Sequence, residues 1–147
     1  MQKRGGSQKP MSSGMIKAVL DTNVFISALF WKGAPYEIVR RGLGGAFVIV
    51  VSDAIIVEVK NTLVRKFNFP AHDAEAFSEI IIFNSMMIKP ALRLDVVDID
   101  PSDNKIFECA VAGGANYIVS GDKHILGFRR YRGIEVVTPN QFLRYAL

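Results

Sequence analysis

The sequence is poor in the side chains that build thiolate and imidazole chemistry. Cys109 is the single cysteine, and His72 and His124 are the only histidines, far apart in the chain. No internal disulfide can form, and a Cys/His zinc site lacks its ligands. Long apolar runs are missing as well. The longest, Ala46 to Val51, falls far short of the ~20 residues that span a bilayer. Charged residues make up 22% and hydrophobic residues 50%, a globular rather than disordered balance. Residues 1–14 are basic, free of acids and without an apolar h-region, which excludes a secretory signal. They read as a flexible leader or an expression remnant ahead of one domain over 15–147. A cytoplasmic location without a membrane anchor is expected. The net charge of +4 suits a polyanionic partner.

What is present is an alternation of strand-like and helical patterns, which predicts an α/β fold with a largely parallel sheet. Residues 15–20 read as a first strand ending at Asp21-Thr22-Asn23, followed by a short helix over 24–30. Gly33-Ala34-Pro35 opens a second helix, and Gly42, Gly44 and Gly45 are expected to stop it. Ala46 to Val51 is continuously apolar, as in a strand buried on both faces. Ser52 can cap a helix carrying the stripe Ile55, Val59, Leu63 and Phe67. Further helices are predicted over 73–86, over 101–112 with Gly113-Gly114 as its stop, and over 123–131. Ile88 reads as the start of a short strand, with Lys89-Pro90 arguing against a central position. Strands are expected at 117–120 and 134–137, and a last short helix at 139–147.

Ligands of an open parallel sheet bind beyond the carboxyl ends of its strands. Asp21 directly follows the first strand, and Asp122 follows Ser120-Gly121 at the end of a later one. The competing reading is that each merely caps the next helix. Asp103 extends the stripe Ile106, Cys109, Ala110 and Gly113 to its helix N-terminus and so faces the crevice. Its alternative is a capping box with Asp100, which is a second-choice site residue. Glu58 lies off the apolar stripe of its helix, and with Asn61 and Thr62 at i+3 and i+4 no intrahelical ion pair explains it. Asp53 is a first-turn acid favoured by the helix dipole, and Asp95 and Asp98 read as solvated loop acids. Four converging carboxylates repel one another unless a cation neutralises them. All-oxygen ligands select a hard ion such as Mg²⁺ or Mn²⁺, which suits metal-assisted phosphodiester hydrolysis.

Three segments together carry a family resemblance. Leu20-Asp-Thr-Asn-Val24, Asp103-Asn-Lys-Ile-Phe-Glu-Cys-Ala110 and Tyr117-Ile-Val-Ser-Gly-Asp122 resemble the PIN domain from its opening strand to its central helix and following strand, and Glu58 sits in the expected intermediate helix. The resemblance covers Met15 to roughly Phe142. It implies a three-layer α/β/α sandwich with a mostly parallel sheet and Mg²⁺- or Mn²⁺-dependent ribonuclease activity. Asp21, Glu58, Asp103 and Asp122 would be the catalytic acids, with Asp21, Asp103 and Asp122 holding metal. Asn23 and Ser120 would be polar helpers, Ser120 standing where the family often has threonine. It further implies likeness to the toxin of a toxin–antitoxin pair, an antitoxin partner and a homodimer or higher homo-oligomer. Some members have lost activity, so a catalytically inactive module binding nucleic acid or protein is the alternative.

An acidic pit needs a basic rim to hold nucleic acid. Lys123, Arg129 and Arg130 are the leading candidates, with Arg132 beside them and Lys60, Arg65 and Lys66 on the Glu58 helix; a solvated helix face is the competing reading. Trp31, Tyr36 and Phe30 can stack on bases, with core packing the favoured role for Phe30. Ile80 to Phe83 and Met86-Met87 read as core or dimer surface. A receiver domain would want an acidic pair after the first strand, and an aspartyl phosphatase a second Asp where Asn23 stands. Both fit less well.

Overall fold

Strand β1 (Lys17–Leu20) forms the centre of the sheet, with Ala18, Val19 and Leu20 fully buried. The computed structural model describes residues 14–94, 96 and 100–147; most of the leader, and the acids Asp95 and Asp98, lie outside the described residues. Helices α1 (Thr22–Phe30) and α2 (Ala34–Leu43) lead to β2 (Val48–Ser52), and α3 (Asp53–Phe67) and α4 (Ala71–Phe83) lead to β3 (Met86–Ile88). A 3₁₀ turn at Pro101–Asp103 runs into α5 (Asn104–Ala112) and β4 (Tyr117–Val119). The chain closes with α6 (Lys123–Leu126), β5 (Arg130–Tyr131), β6 (Ile134–Val137) and α7 (Pro139–Tyr145).

The six strands lie in the order β3-β2-β1-β4-β6-β5, and every pair is parallel except β5 with β6. All five residues of β2 are buried, as its unbroken apolar run requires. Two glycines show how the layers sit. A Cβ on Gly42 would stand 2.6 Å from Ile49 Cδ1, and one on Gly113 would stand 2.5 Å from Val50 Cγ1. Consecutive strand residues point to opposite faces, so α2 and α5 cover the sheet from opposite sides. That is the expected α/β/α sandwich. Gly42 is therefore a packing residue inside α2 and not its stop; the helix ends one residue later at Leu43.

Two further expectations are corrected. Residues 123–131 are not one basic helix. Phe128 and Tyr131 have helical spacing, but both rings instead pack edge-on against Phe107, at 5.1 and 5.3 Å. Gly127 ends α6, and Arg132 and Gly133, both at positive φ, make the two-residue turn that returns β5 onto β6. Phe30 is not a core residue: it remains 39% exposed. Helix α4 begins and ends earlier than the pattern predicts, and Met86 and Met87 belong to the edge strand β3.

Candidate active site

The carboxyl ends of β1 and β4, with α3 and the turn before α5, border a cleft of about 170 Å³ lined by Asp21, Glu58, Asp103, Asp122 and Asp100, with Asn23 at its wall. The four predicted acids thus come together from four separate segments. Thr22, Thr62, Lys66 and Ser102 complete the lining.

Asp21 does not cap α1; its side chain makes no capping bond, and it is only 6% exposed. Instead Asp21 Oδ2 accepts a hydrogen bond of 2.7 Å from the hydroxyl of Ser120, itself fully buried just beyond β4. The same hydroxyl oxygen accepts from the amide of Asp122 at 3.0 Å. Burial raises the Asp21 pKa, the Ser120 hydrogen bond opposes that shift, and the charges of Glu58 and Asp122 add to it. Asp122 does cap: its Oδ1 accepts from His124 N at 2.8 Å, which fixes the carboxylate at the start of α6.

The capping box imagined for Asp100 and Asp103 does not form. Asp100 accepts from the amide and hydroxyl of Ser102, and this holds its carboxyl below the ordinary range. Asp103 makes no capping bond, and its Oδ2 is buried without a hydrogen-bond partner. Desolvation first, then the carboxylates of Asp21, Asp100 and Asp122, push Asp103 up to about 6, with Lys105 opposing. Glu58 is tethered from two sides. Thr22 donates to its Oε1, and Lys105 Nζ lies 3.1 Å from the same oxygen. Lys105 also donates to the Ser102 carbonyl.

Thr22 and Lys105 escaped the sequence reading. Thr22 is hidden by its place next to Asp21, and Lys105 meets Glu58 only through the packing of α5 on α3. The basic candidates are scattered. Lys66 lines the cleft, whereas Arg129 borders a separate hollow with Tyr117, Glu135 and Tyr145. Arg130 pairs with Glu135 at 3.2 Å, level with Tyr117 at the amino end of β4. Lys123 is exposed in the first turn of α6, next to Asp122.

Among the described residues, no three His, Cys, Asp or Glu side chains already close on a point as metal ligands do. The donor set nevertheless fits a hard cation. Every candidate ligand is an oxygen, Asp103 Oδ2 lacks a partner, and desolvation, with repulsion from neighbouring carboxylates, raises the pKa of Asp21 and Asp103. Cys109 is no thiolate donor: burial pushes it up to about 12.

A family model for the PIN domain matches residues 17–124, most of the chain and all four acids. The chain belongs to the PIN-domain family. This PIN domain is similar in fold to a crystal structure of VapBC2 from Rickettsia felis bound to a DNA fragment from their promoter. The TM-score is 0.58 at 14% identity, covering 84% of this chain and 98% of that one. Comparison of the sequence with curated proteins gives no match. No helix among the described residues of the PIN domain is long and apolar enough to cross a membrane.

Proposed function

We propose that this PIN domain is an endoribonuclease that depends on Mg²⁺ or Mn²⁺ and hydrolyses phosphodiester bonds in single-stranded RNA. The observation that carries the reading is Asp103 Oδ2, a buried carboxylate oxygen without a partner in a cleft walled by Asp21, Glu58 and Asp122. An uncompensated carboxylate beside three others costs stability unless a cation joins it.

In this reading Asp21, Asp103 and Asp122 are the metal ligands. Such an ion, when bound, supplies Lewis acidity toward a phosphoryl oxygen and compensates charge in the transition state. The chain's own residues orient the site. Ser120 fixes Asp21, the α6 amide of His124 fixes Asp122, and the tether of Thr22 and Lys105 holds Glu58 at the cleft wall. Asn23 sits exposed at the first turn of α1, placed to meet the strand from the rim. As a finer part of the same proposal, the protein acts as the toxin of a toxin–antitoxin pair; the sequence resemblance and the fold it shares with VapBC2 support this part.

One specific observation favours a second reading, an inactive binding module: the Glu58 carboxylate is already engaged by Lys105 and Thr22. Incubating the protein with single-stranded RNA, with Mg²⁺ or Mn²⁺ and with EDTA, separates the two. Metal-dependent cleavage lost in Asp103→Asn supports the nuclease. RNA binding without cleavage under any metal supports the module.

A further inference from the structure

Away from the carboxylates, the ends of α1 and α3 bring aromatic rings to the surface. Phe30 stacks on Phe67 with centroids 4.9 Å apart and planes tilted by 24°. Trp31 leans against Phe30 at 5.7 Å and remains 63% exposed, while Phe30 and Phe67 are 39% and 40% exposed. Phe69 supports Phe30 edge-on at 5.9 Å from beneath this pair. The Trp31 backbone is fixed too, because its amide closes α1 on the Ser27 carbonyl. These rings are held in place before any ligand arrives, which lowers the ordering cost of binding.

Three cations neighbour the ring-bearing residues in the chain. Lys32 follows Trp31, and Arg65 and Lys66 precede Phe67 on the last turn of α3. All three are exposed, and among the described residues none forms an ion pair. Lys66, the neighbour of Phe67 in the chain, also lines the acidic cleft. Flat faces that accept any base, set among cations that meet phosphates, match the chemistry of an unpaired nucleic-acid strand. A duplex hides its base faces in the stack and cannot use them.

We propose that Trp31, Phe30 and Phe67 form a stacking platform for the bases of a single strand whose backbone runs past Lys66 into the cleft. The proposal rests on the nuclease reading for its substrate class and deepens it by locating where the strand is held outside the cleft. Two unpaired bases lie on the rings while Lys66 meets the backbone where it enters the cleft. Selectivity for single strands then comes from stacking and not from base-edge hydrogen bonds.

Trp31 is the only tryptophan of the chain, so its fluorescence reports on the platform directly. In EDTA, where metal-dependent cleavage is silent, titration with a short single-stranded RNA should quench and shift this emission; the duplex of the same sequence should do neither. Trp31→Ala and Phe67→Ala, followed with a labelled strand, should each weaken binding at least about fivefold, and Trp31→Phe should retain most of it. Because both rings are substantially exposed, circular dichroism of the variants should match the parent. Unchanged emission together with unchanged affinity of both alanine variants overturns the platform and returns the patch to a protein partner. Failure of the nuclease reading looks different: quenching persists while no metal supports cleavage.

Discussion

Lys105 Nζ stands 3.1 Å from Glu58 Oε1, a cation from α5 held against one of the carboxylates that line the cleft. The lysine side chain is only 17% exposed, so this pair is less screened than an open surface contact. It lowers the Asp103 pKa and at the same time repels any divalent ion entering the cleft.

Lys105→Gln should therefore tighten Mn²⁺ binding at neutral pH, by roughly three- to tenfold. Calorimetric titration of the metal measures it. Weaker binding in the variant would mean that Lys105 assists the ion by holding Glu58 in place.

The hydroxyl of Ser120 serves two partners, Asp21 and the Asp122 amide. Ser120→Ala leaves a part-buried amide and a buried carboxylate without it and should cost about 1–3 kcal/mol of stability in denaturant unfolding. Ser120→Thr keeps the hydroxyl and should stay close to the parent. Equal losses in both variants would assign the effect to packing.

Acid should stabilise the metal-free protein over a defined window. The fold pushes Asp103 up to about 6 from the ordinary carboxyl value of 3.8, and Asp21 shifts in the same direction. A carboxyl with a raised pKa binds its proton more tightly in the folded state, so its stabilising contribution is complete below the unfolded value and is lost as pH rises through about 6. In EDTA the melting temperature should climb between pH about 7 and pH about 5. Asp103→Asn should flatten most of that rise, and saturating Mg²⁺ should raise the neutral-pH value. A melting temperature that falls on acidification across this window would count against the proposed cluster.

The basic side chains should contribute unequally to RNA binding. Lys66→Gln removes a cation at the cleft and should lower both affinity and the salt slope, the latter by about one. Arg130→Gln removes a guanidinium already paired with Glu135 and should change either quantity less. Binding curves over a salt titration rank the two, and the reverse ranking would move the RNA path toward the β5–β6 hairpin.

Asp21 and Asp103 were legible in the sequence because local rules place them. One ends a strand next to a turn, and the other begins an apolar stripe at a helix N-terminus. Ser120 needed the family resemblance, since its reach to Asp21 crosses from β4 to β1. Lys105 could not be read at all: its partner lies on another helix, and spacing within α5 says nothing about it. The hairpin after α6 was hidden for a different reason. Phe128 and Tyr131 stand three apart in the chain, which imitates a helical face, but that spacing serves packing on Phe107. Gly42 deceived in the same way, since glycine marks a close approach of helix to sheet as readily as a helix end.

The sheet also terminates itself at both borders. Strand β5 has two residues with Arg130 facing out, and β3 has three and runs straight into Lys89-Pro90, where one backbone donor is missing. Among the described residues, a second copy finds only a short ladder to extend at either border. The exposed apolar surface lies instead on a helix, where α4 carries Ile80 at 49% and Phe83 at 88% exposure.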